Sequence, residues 1–308
     1  MQTGFIGFGE AGYTIGKGLV GAGIGQLFAY DIAWQSPDRG ALIRQRAADA
    51  GVTLVASPAE LAAETTILIS TVTCSSALDA ARQHAPFLRR SGDPGGAHIY
   101  ADLNSVSPEI KRRIADVISG ADASFVEVAV MAPVGPYAQR VPMLLGGPGA
   151  ERFVEAMQPF GMRLQVLPAA DIGTAAAVKM CRSVVVKGLE ALLTECVLGA
   201  SEYGAAEHVF ASLQESYPGI DWKKLADYNI NRLIVHGERR AREMEEVAET
   251  LQQAGIEPIM AAATARRQDW SAKLGLKQHF PPDGPDGTAD VLAVLARLKK
   301  DATAVTVP

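Results

Sequence analysis

One short stretch near the N-terminus, Gly7-Phe8-Gly9-Glu10-Ala11-Gly12, narrows the folds open to this chain more than any other. It follows the apolar pair Phe5-Ile6 and leads into helical spacing through Ile15 and Leu19. Glycines in a G-x-G-x-x-G turn between strand and helix permit a tight reversal and let a pyrophosphate approach the backbone amides at a helix N-terminus. The pattern is weak alone and gains force from its surroundings. A second strand-like run, QLFAYD, ends in Asp31, 19 residues beyond Gly12. An acidic side chain there accepts hydrogen bonds from ribose hydroxyls. Together these features indicate dinucleotide binding through Gly7, Phe8, Gly9, Glu10, Ala11, Gly12 and Asp31. A carboxylate at Asp31 pairs with a free 2'-hydroxyl and repels a 2'-phosphate. NAD is therefore the expected cofactor, with NADP as the alternative because Arg39 and Arg44 follow closely.

Downstream the chain alternates between two periodicities. Strand-like runs at 52–55, 65–71 and 97–103 are separated by helical spacing from Pro58, from Ser75 to about Pro86, and from Ser107-Pro108. Strands interleaved with helices pair in parallel through right-handed crossovers, which predicts a doubly wound α/β sheet of the Rossmann type. Ligands of such sheets sit beyond the carboxyl ends of the strands. Two strand ends carry suitable groups, Thr71-Val72-Thr73-Cys74 and Asp102-Leu103-Asn104-Ser105. Thr71, Val72, Thr73 and Asn104 are the expected cofactor contacts, with Thr73 and Asn104 bonding ribose or nicotinamide. Ser105 and Ser107 read nearly as well as helix caps, and Cys74 reads as a small buried residue. Strands near 124–130, 142–146 and 161–168, with a helix from about Ala150, complete a nucleotide-binding domain over 1–168.

From Asp171 to Tyr203 no proline interrupts an Ala-, Leu- and Val-rich run, long enough for about eight or nine helical turns. Steps of three and four residues align Lys179, Ser183, Lys187, Glu190 and Thr194 as a polar stripe on a largely apolar helix. A lysine is seldom buried without a partner or a task, so Lys179 requires an explanation. Beyond Tyr203 the strands stop. Helical spacing at 205–216, 221–235, 237–254, 257–275 and 288–300 predicts an all-helical domain over 169–308, joined to the first by the long interdomain helix. Within it His236, Arg239, Arg240 and Glu243 share one helix face. The face reads either as an anion clamp for substrate, contributed across a dimer interface, or as a salt-bridged exposed surface.

Composition bounds the partners. Lys+Arg 29 against Asp+Glu 34 gives a net charge of -5, so no overall basic field draws the chain to nucleic acid or anionic membrane. A small-molecule substrate is the better expectation. Cys74, Cys181 and Cys196 form no CxxC, and no His pair has zinc spacing, which fits a reducing cytoplasm and no metal. No charged n-region precedes the first strand, so no signal peptide is read. The longest apolar run contains Lys187, Glu190 and Glu195, so no membrane span is read either.

Several pieces together resemble the β-hydroxyacid dehydrogenase superfamily, which includes 6-phosphogluconate and 3-hydroxyisobutyrate dehydrogenases. GFIGFGEAG resembles its cofactor fingerprint. DLNSVSP resembles its Asp-x-x-Ser/Thr-x-x-Pro region, with an Asn-Ser like that of the phosphogluconate branch. GTAAAVKM resembles the Gly-x-x-x-x-x-Lys stretch that carries the catalytic lysine. The C-terminal HGERRAREMEEVAETLQQAGIEP looks like a subgroup with a distinctive helical domain of unknown function. The resemblance implies hydride transfer between nicotinamide and a hydroxyl- or carbonyl-bearing carbon of a hydroxyacid or related alcohol, with Lys179 as general acid/base. Met131, Ala132, Pro133 and Ser183 stand at the family's substrate positions, and Lys187 of the polar stripe with His236, Arg239 and Arg240 of the helix face are the further expected substrate contacts, in an expected homodimer. Two departures matter. The family's Ser-Gly-Gly becomes Met131-Ala132-Pro133, which removes a hydroxyl and an amide hydrogen. The asparagine expected four residues after the lysine becomes Ser183. An imine reductase on the same scaffold, which usually lacks the lysine, and a non-catalytic dinucleotide sensor are the rival readings.

Overall fold

The computed structural model describes residues 2–89, 96–168 and 171–305, with side chains described as far as Lys300. The chain divides into two compact units, Met1–Lys179 and Met180–Pro308. In the first, β1 (Thr3–Ile6), α1 (Glu10–Gly21), β2 (Leu27–Tyr30), α2 (Gly40–Ala50), β3 (Val52–Leu54), α3 (Pro58–Glu64) and β4 (Ile67–Ser70) alternate strictly. They are followed by α4 (Ala77–His84), β5 (Ile99–Asp102), α5 (Pro108–Gly120), β6 (Ser124–Val130), β7 (Pro142–Gly146), α6 (Ala150–Met157) and β8 (Arg163–Val166). The eight strands form one sheet in the order β3-β2-β1-β4-β5-β6-β7-β8. The order reverses direction between β1 and β4, and the crevice beyond the carboxyl ends of those two strands is the natural ligand position.

Alternation of side chains along the strands builds two cores. Phe5, Ile67, Ile69, Ala101, Val126 and Val128 belong to one cluster, and Ile6, Leu68, Tyr100 and Phe125 to the other. A sheet covered on both faces needs near-continuous apolar strands, which is what β4 and β6 supply. The expected all-parallel pairing has one exception: β6 and β7 run antiparallel. Between them lies only a loop with a short 3-10 turn at Ala138–Arg140, with no crossover helix to return the chain to the same edge. Helix α2 is an addition to the sequence reading. Cys74, expected to be buried, is exposed at the start of a 3-10 turn after β4.

The long helix α7 (Thr174–Glu202) begins in the first unit and continues into the second. The second unit is otherwise α8 (Ala206–Ser216), α9 (Trp222–Gln253), α10 (Ile259–Lys273) and α11 (Thr288–Val305). Two helices expected at 221–235 and 237–254 are one continuous helix, α9. Gly237 does not break it, because its lack of a side chain serves packing: a Cβ there would lie 2.6 Å from the Gln268 carbonyl oxygen and 2.3 Å from Ser271 Oγ on α10. Close approach of the two helices, rather than a turn, explains that glycine. Among the described residues no helix is long and apolar enough to cross a membrane.

Candidate cofactor and active site

The glycine turn lies at the point where the strand order reverses. Gly7 follows β1 with φ +82°, in the left-handed region that favours glycine. Gly9 is the residue before α1, and a Cβ on it would meet nothing within 4 Å. The space above the first turn of α1 is therefore open to a ligand facing the unpaired amides of that helix end. Gly12 is the opposite case, since its Cβ would fall 2.7 Å from the Gly7 carbonyl oxygen and 2.6 Å from Thr71 Oγ1. Thr71, just past β4, donates to that Gly7 carbonyl at 2.8 Å and so ties the two central strand ends together. Phe8 is fully buried in the sheet core, and Glu10 and Ala11 open α1 at the surface.

Asp31 directly follows β2 beside this turn. Its two oxygens accept from the amides of Phe8, at 2.7 Å, and Ala33, at 2.8 Å. A carboxylate has about four acceptor positions, so each oxygen keeps capacity for a ribose hydroxyl while the amides fix its direction. Arg44 donates to the Trp34 carbonyl at 2.6 Å, which engages one of the two arginines that keep NADP open. Val72 is half-buried against the sheet core, and exposed Thr73 donates to Ser76 Oγ at 2.9 Å. Ser107 caps α5 by accepting from the Ile110 amide at 3.3 Å.

Asn104 follows β5 at the same sheet edge and is buried. Its Nδ2 donates to Ser70 Oγ at 2.9 Å and to Asp102 Oδ1, while its Oδ1 is buried with no partner among the described residues. An unsatisfied buried acceptor at this edge is suited to a ligand N–H or O–H. Asp102 holds the amide in that orientation and is itself paired with Lys111. Lys111 Nζ lies 2.6 Å from Asp102 Oδ2 and 2.7 Å from its carbonyl oxygen, with both residues almost wholly out of solvent at 1% and 0% side-chain exposure. Sequence reasoning placed Asp102 at this strand end without a role and missed Ser70 and Lys111. The available signal was the position of Lys111 on the apolar face of α5 with Ile114, Ala115 and Ile118.

Glu127 is a second buried charge that the sequence reading did not interpret. It lies on β6 among apolar neighbours and accepts from the amides of Gly173 and Ala176, both at 2.7 Å. These are unpaired donors at the N-terminus of α7, where a negative charge also meets the favourable end of the helix dipole. Glu127 thereby fixes the start of the helix whose second turn carries half-buried Lys179. Met131, Ala132 and Pro133 leave β6 at the carboxyl edge, with Met131 held by its amide to the Pro142 carbonyl at 2.9 Å and Pro133 exposed.

In the second unit Ser183 Oγ accepts from Lys187 Nζ at 3.3 Å. Lys187 is buried and paired with Glu243 at 2.9 Å. Burial drives the Lys187 ammonium below the ordinary lysine range despite that partner. Arg240 is also buried and forms a bidentate pair with Glu190, which takes a third bond from Gln268 at 2.8 Å. Lys187 and Arg240 are thus held by internal ion pairs. Arg239 is exposed and pairs with Glu243, and His236 is half-buried.

Comparison with known proteins agrees with the fold. Residues 200–271 match the model of a domain of unknown function, DUF1932. A conserved hypothetical protein from Sinorhizobium meliloti 1021 is 36% identical, with a TM-score of 0.81 and 96% of each chain covered. A conserved protein of unknown function, described as structurally similar to 3-hydroxyacid dehydrogenases, is 29% identical with a TM-score of 0.73, covering 90% of this chain and 99% of that one. The 3-hydroxyisobutyrate dehydrogenase of Mycobacterium tuberculosis, solved with L-serine, is 16% identical with a TM-score of 0.69 over 95% of this chain and 98% of that one, a likeness of fold.

Proposed function

From a chain that belongs to the β-hydroxyacid dehydrogenase superfamily, in the branch carrying the DUF1932 helical domain, we infer an enzyme that transfers hydride between a nicotinamide dinucleotide and a hydroxyl- or carbonyl-bearing carbon. The observation that carries this reading is the division of labour among the three glycines: Gly7 turns the chain, Gly12 lets it close, and Gly9 leaves open space over the amides of α1. Asp31, oriented by two backbone amides, favours NAD over NADP, because its carboxylate repels a 2'-phosphate. Thr71, Val72, Thr73 and Asn104 complete the cofactor set, with the unpartnered Asn104 Oδ1 as acceptor for ribose or carboxamide.

The cofactor supplies the hydride chemistry, and the protein's own residues position groups and move a proton. Lys179 takes the hydroxyl proton as the carbon is oxidised and returns it to the forming alkoxide in reduction. Ser183, one turn further along α7, is within helical reach of it. Met131 and Pro133 replace polar groups of the family's short-acid enzymes, so the substrate is an alcohol with more apolar surface than a small hydroxyacid. Lys187 and Arg240 act by holding the helical framework around such a substrate. The face of α7 bearing exposed Val185, Leu189 and Leu192 supports a homodimer.

The test is a screen for cofactor reduction with NAD and NADP across hydroxyacids, polyols and bulkier alcohols, repeated with Lys179→Ala. Removing the proton-transfer group lowers turnover by about 10²- to 10⁴-fold while cofactor binding persists. Full activity in Lys179→Ala would remove the lysine from the mechanism, and turnover confined to small 2- or 3-hydroxyacids would contradict the apolar pocket.

A further inference from the structure

The unit Met180–Pro308 contains a cavity of about 350 Å³ lined by α9 on one side and by α10 and the following 3-10 turn on the other. Its charged and polar lining is His236, Glu238 and Arg239 from α9, with Ser271, Lys277 and Gln278 opposite. Two glycines shape it. Gly237 allows α9 to pack against the Gln268 carbonyl, and Gly275, at φ +63°, turns the chain after α10 so that Lys277 lines the cavity opposite α9.

The lining is electrostatically unbalanced. Arg239 shares its carboxylate partner, Glu243, with Lys187. Lys277 has no acidic partner among the described residues, and the His236 ring has no hydrogen-bond partner among them. Burial lowers the His236 pKa, and the cations Arg239, Arg232 and Arg240 of its own helix and Lys277 opposite lower it further. A bound anion counters those cations and so favours the protonated ring, which offers N–H on both sides.

We propose that this cavity binds the phosphate group of a small organic phosphate, with Arg239, Lys277 and His236 as its donors. Arg239 and Lys277 face one lining acid, Glu238, and a phosphate, which carries about -1.5 to -2 at neutral pH, has both the charge to draw a proton onto His236 and enough oxygens to accept from all three donors. A carboxylate brings one charge and two oxygens to the same three donors. The volume is at the low end of small-molecule sites, about 300–1,000 Å³, and leaves room for an organic body beyond the phosphate. Of the helix face expected to clamp an anion, Arg240 is withdrawn into its pair with Glu190, and Lys277, from a different element, takes its place. The proposal is independent of the nicotinamide reading, because every group involved lies within one unit.

Isothermal titration of the full chain with inorganic phosphate and with glycerol 3-phosphate, at fixed ionic strength and with acetate as control, tests it. Phosphate binding should saturate and acetate should not compete. Losing one charge-assisted bond costs about 1.5–3 kcal/mol, so Lys277→Ala and Arg239→Ala should each weaken binding about tenfold or more. Glu238→Gln should tighten it. Sulfate, which does not titrate in this range, should bind more tightly at pH 6 than at pH 8, and this dependence should vanish in His236→Gln. Lys277 and Glu238 are exposed, so their variants should melt like the parent, whereas Arg239→Ala also removes one partner of Glu243. Absence of saturable phosphate binding, equal binding of acetate, or affinities unchanged in both Lys277→Ala and Glu238→Gln would overturn the proposal.

Discussion

Gly9 and Gly12 exclude side chains for opposite reasons, and substitution separates them. In Gly12→Ala the new methyl meets a carbonyl oxygen and a hydroxyl, so overpacking should cost about 1–3 kcal/mol, visible as a lower melting temperature. In Gly9→Val the side chain enters free space, so the fold should persist while dinucleotide binding is lost. This part of the site was legible in the sequence because a turn between strand and helix is a local event. The Asp102–Lys111 pair was not, because its partners meet only after β5 and α5 pack. Lys111→Met should strand a buried carboxylate and cost about 3–5 kcal/mol in urea unfolding, with Asn104 losing its fixed orientation.

Among the elements, α7 and α9 show how far periodicity carries. The length of α7 and its polar stripe were readable from residue spacing. What begins the helix was not, since Glu127 reaches Gly173 and Ala176 from a strand more than forty residues earlier in the chain. Glu127→Gln leaves one acceptor where two stood and removes the charge, and should destabilise the first unit by about 1.5–3 kcal/mol by chemical denaturation. In α9 Gly237 stands at the start of the second of the two helices expected there, and a glycine lowers helix propensity by about 1 kcal/mol relative to alanine. Tertiary contact with α10 decides otherwise. Gly237→Ala should therefore destabilise despite its better propensity, by about 1–3 kcal/mol, as the added methyl collides with the Gln268 carbonyl.

At the scale of the molecule, alternation of strands and helices followed by helices alone made the two-part architecture legible, and the missing helix between β6 and β7 was the unread sign of their antiparallel pairing, while the ion pairs of the helical unit depend on contacts no local pattern encodes. Those ion pairs give the second unit its own pH response. Burial opposes ionisation of Glu243, yet Lys187 and Arg239 hold its carboxyl below the ordinary glutamate range. A depressed folded-state pKa contributes stability above the unfolded value, about 4.3, and loses it as pH falls through the folded one. The stability difference between the parent and Glu243→Gln should accordingly shrink between pH 6 and pH 3 in urea melts. The proposed self-association through α7 would give a dimer in sedimentation equilibrium that Leu189→Lys with Leu192→Lys converts to monomer.

The central claim, a nicotinamide dinucleotide held over the amides of α1, is tested most directly by titrating NADH into the parent protein and Gly9→Val while following nicotinamide fluorescence. Saturable binding to the parent, with none to a Gly9→Val protein of unchanged melting temperature, is the predicted result. Failure of the parent to bind NADH or NADPH, or equal binding by the variant, would contradict it.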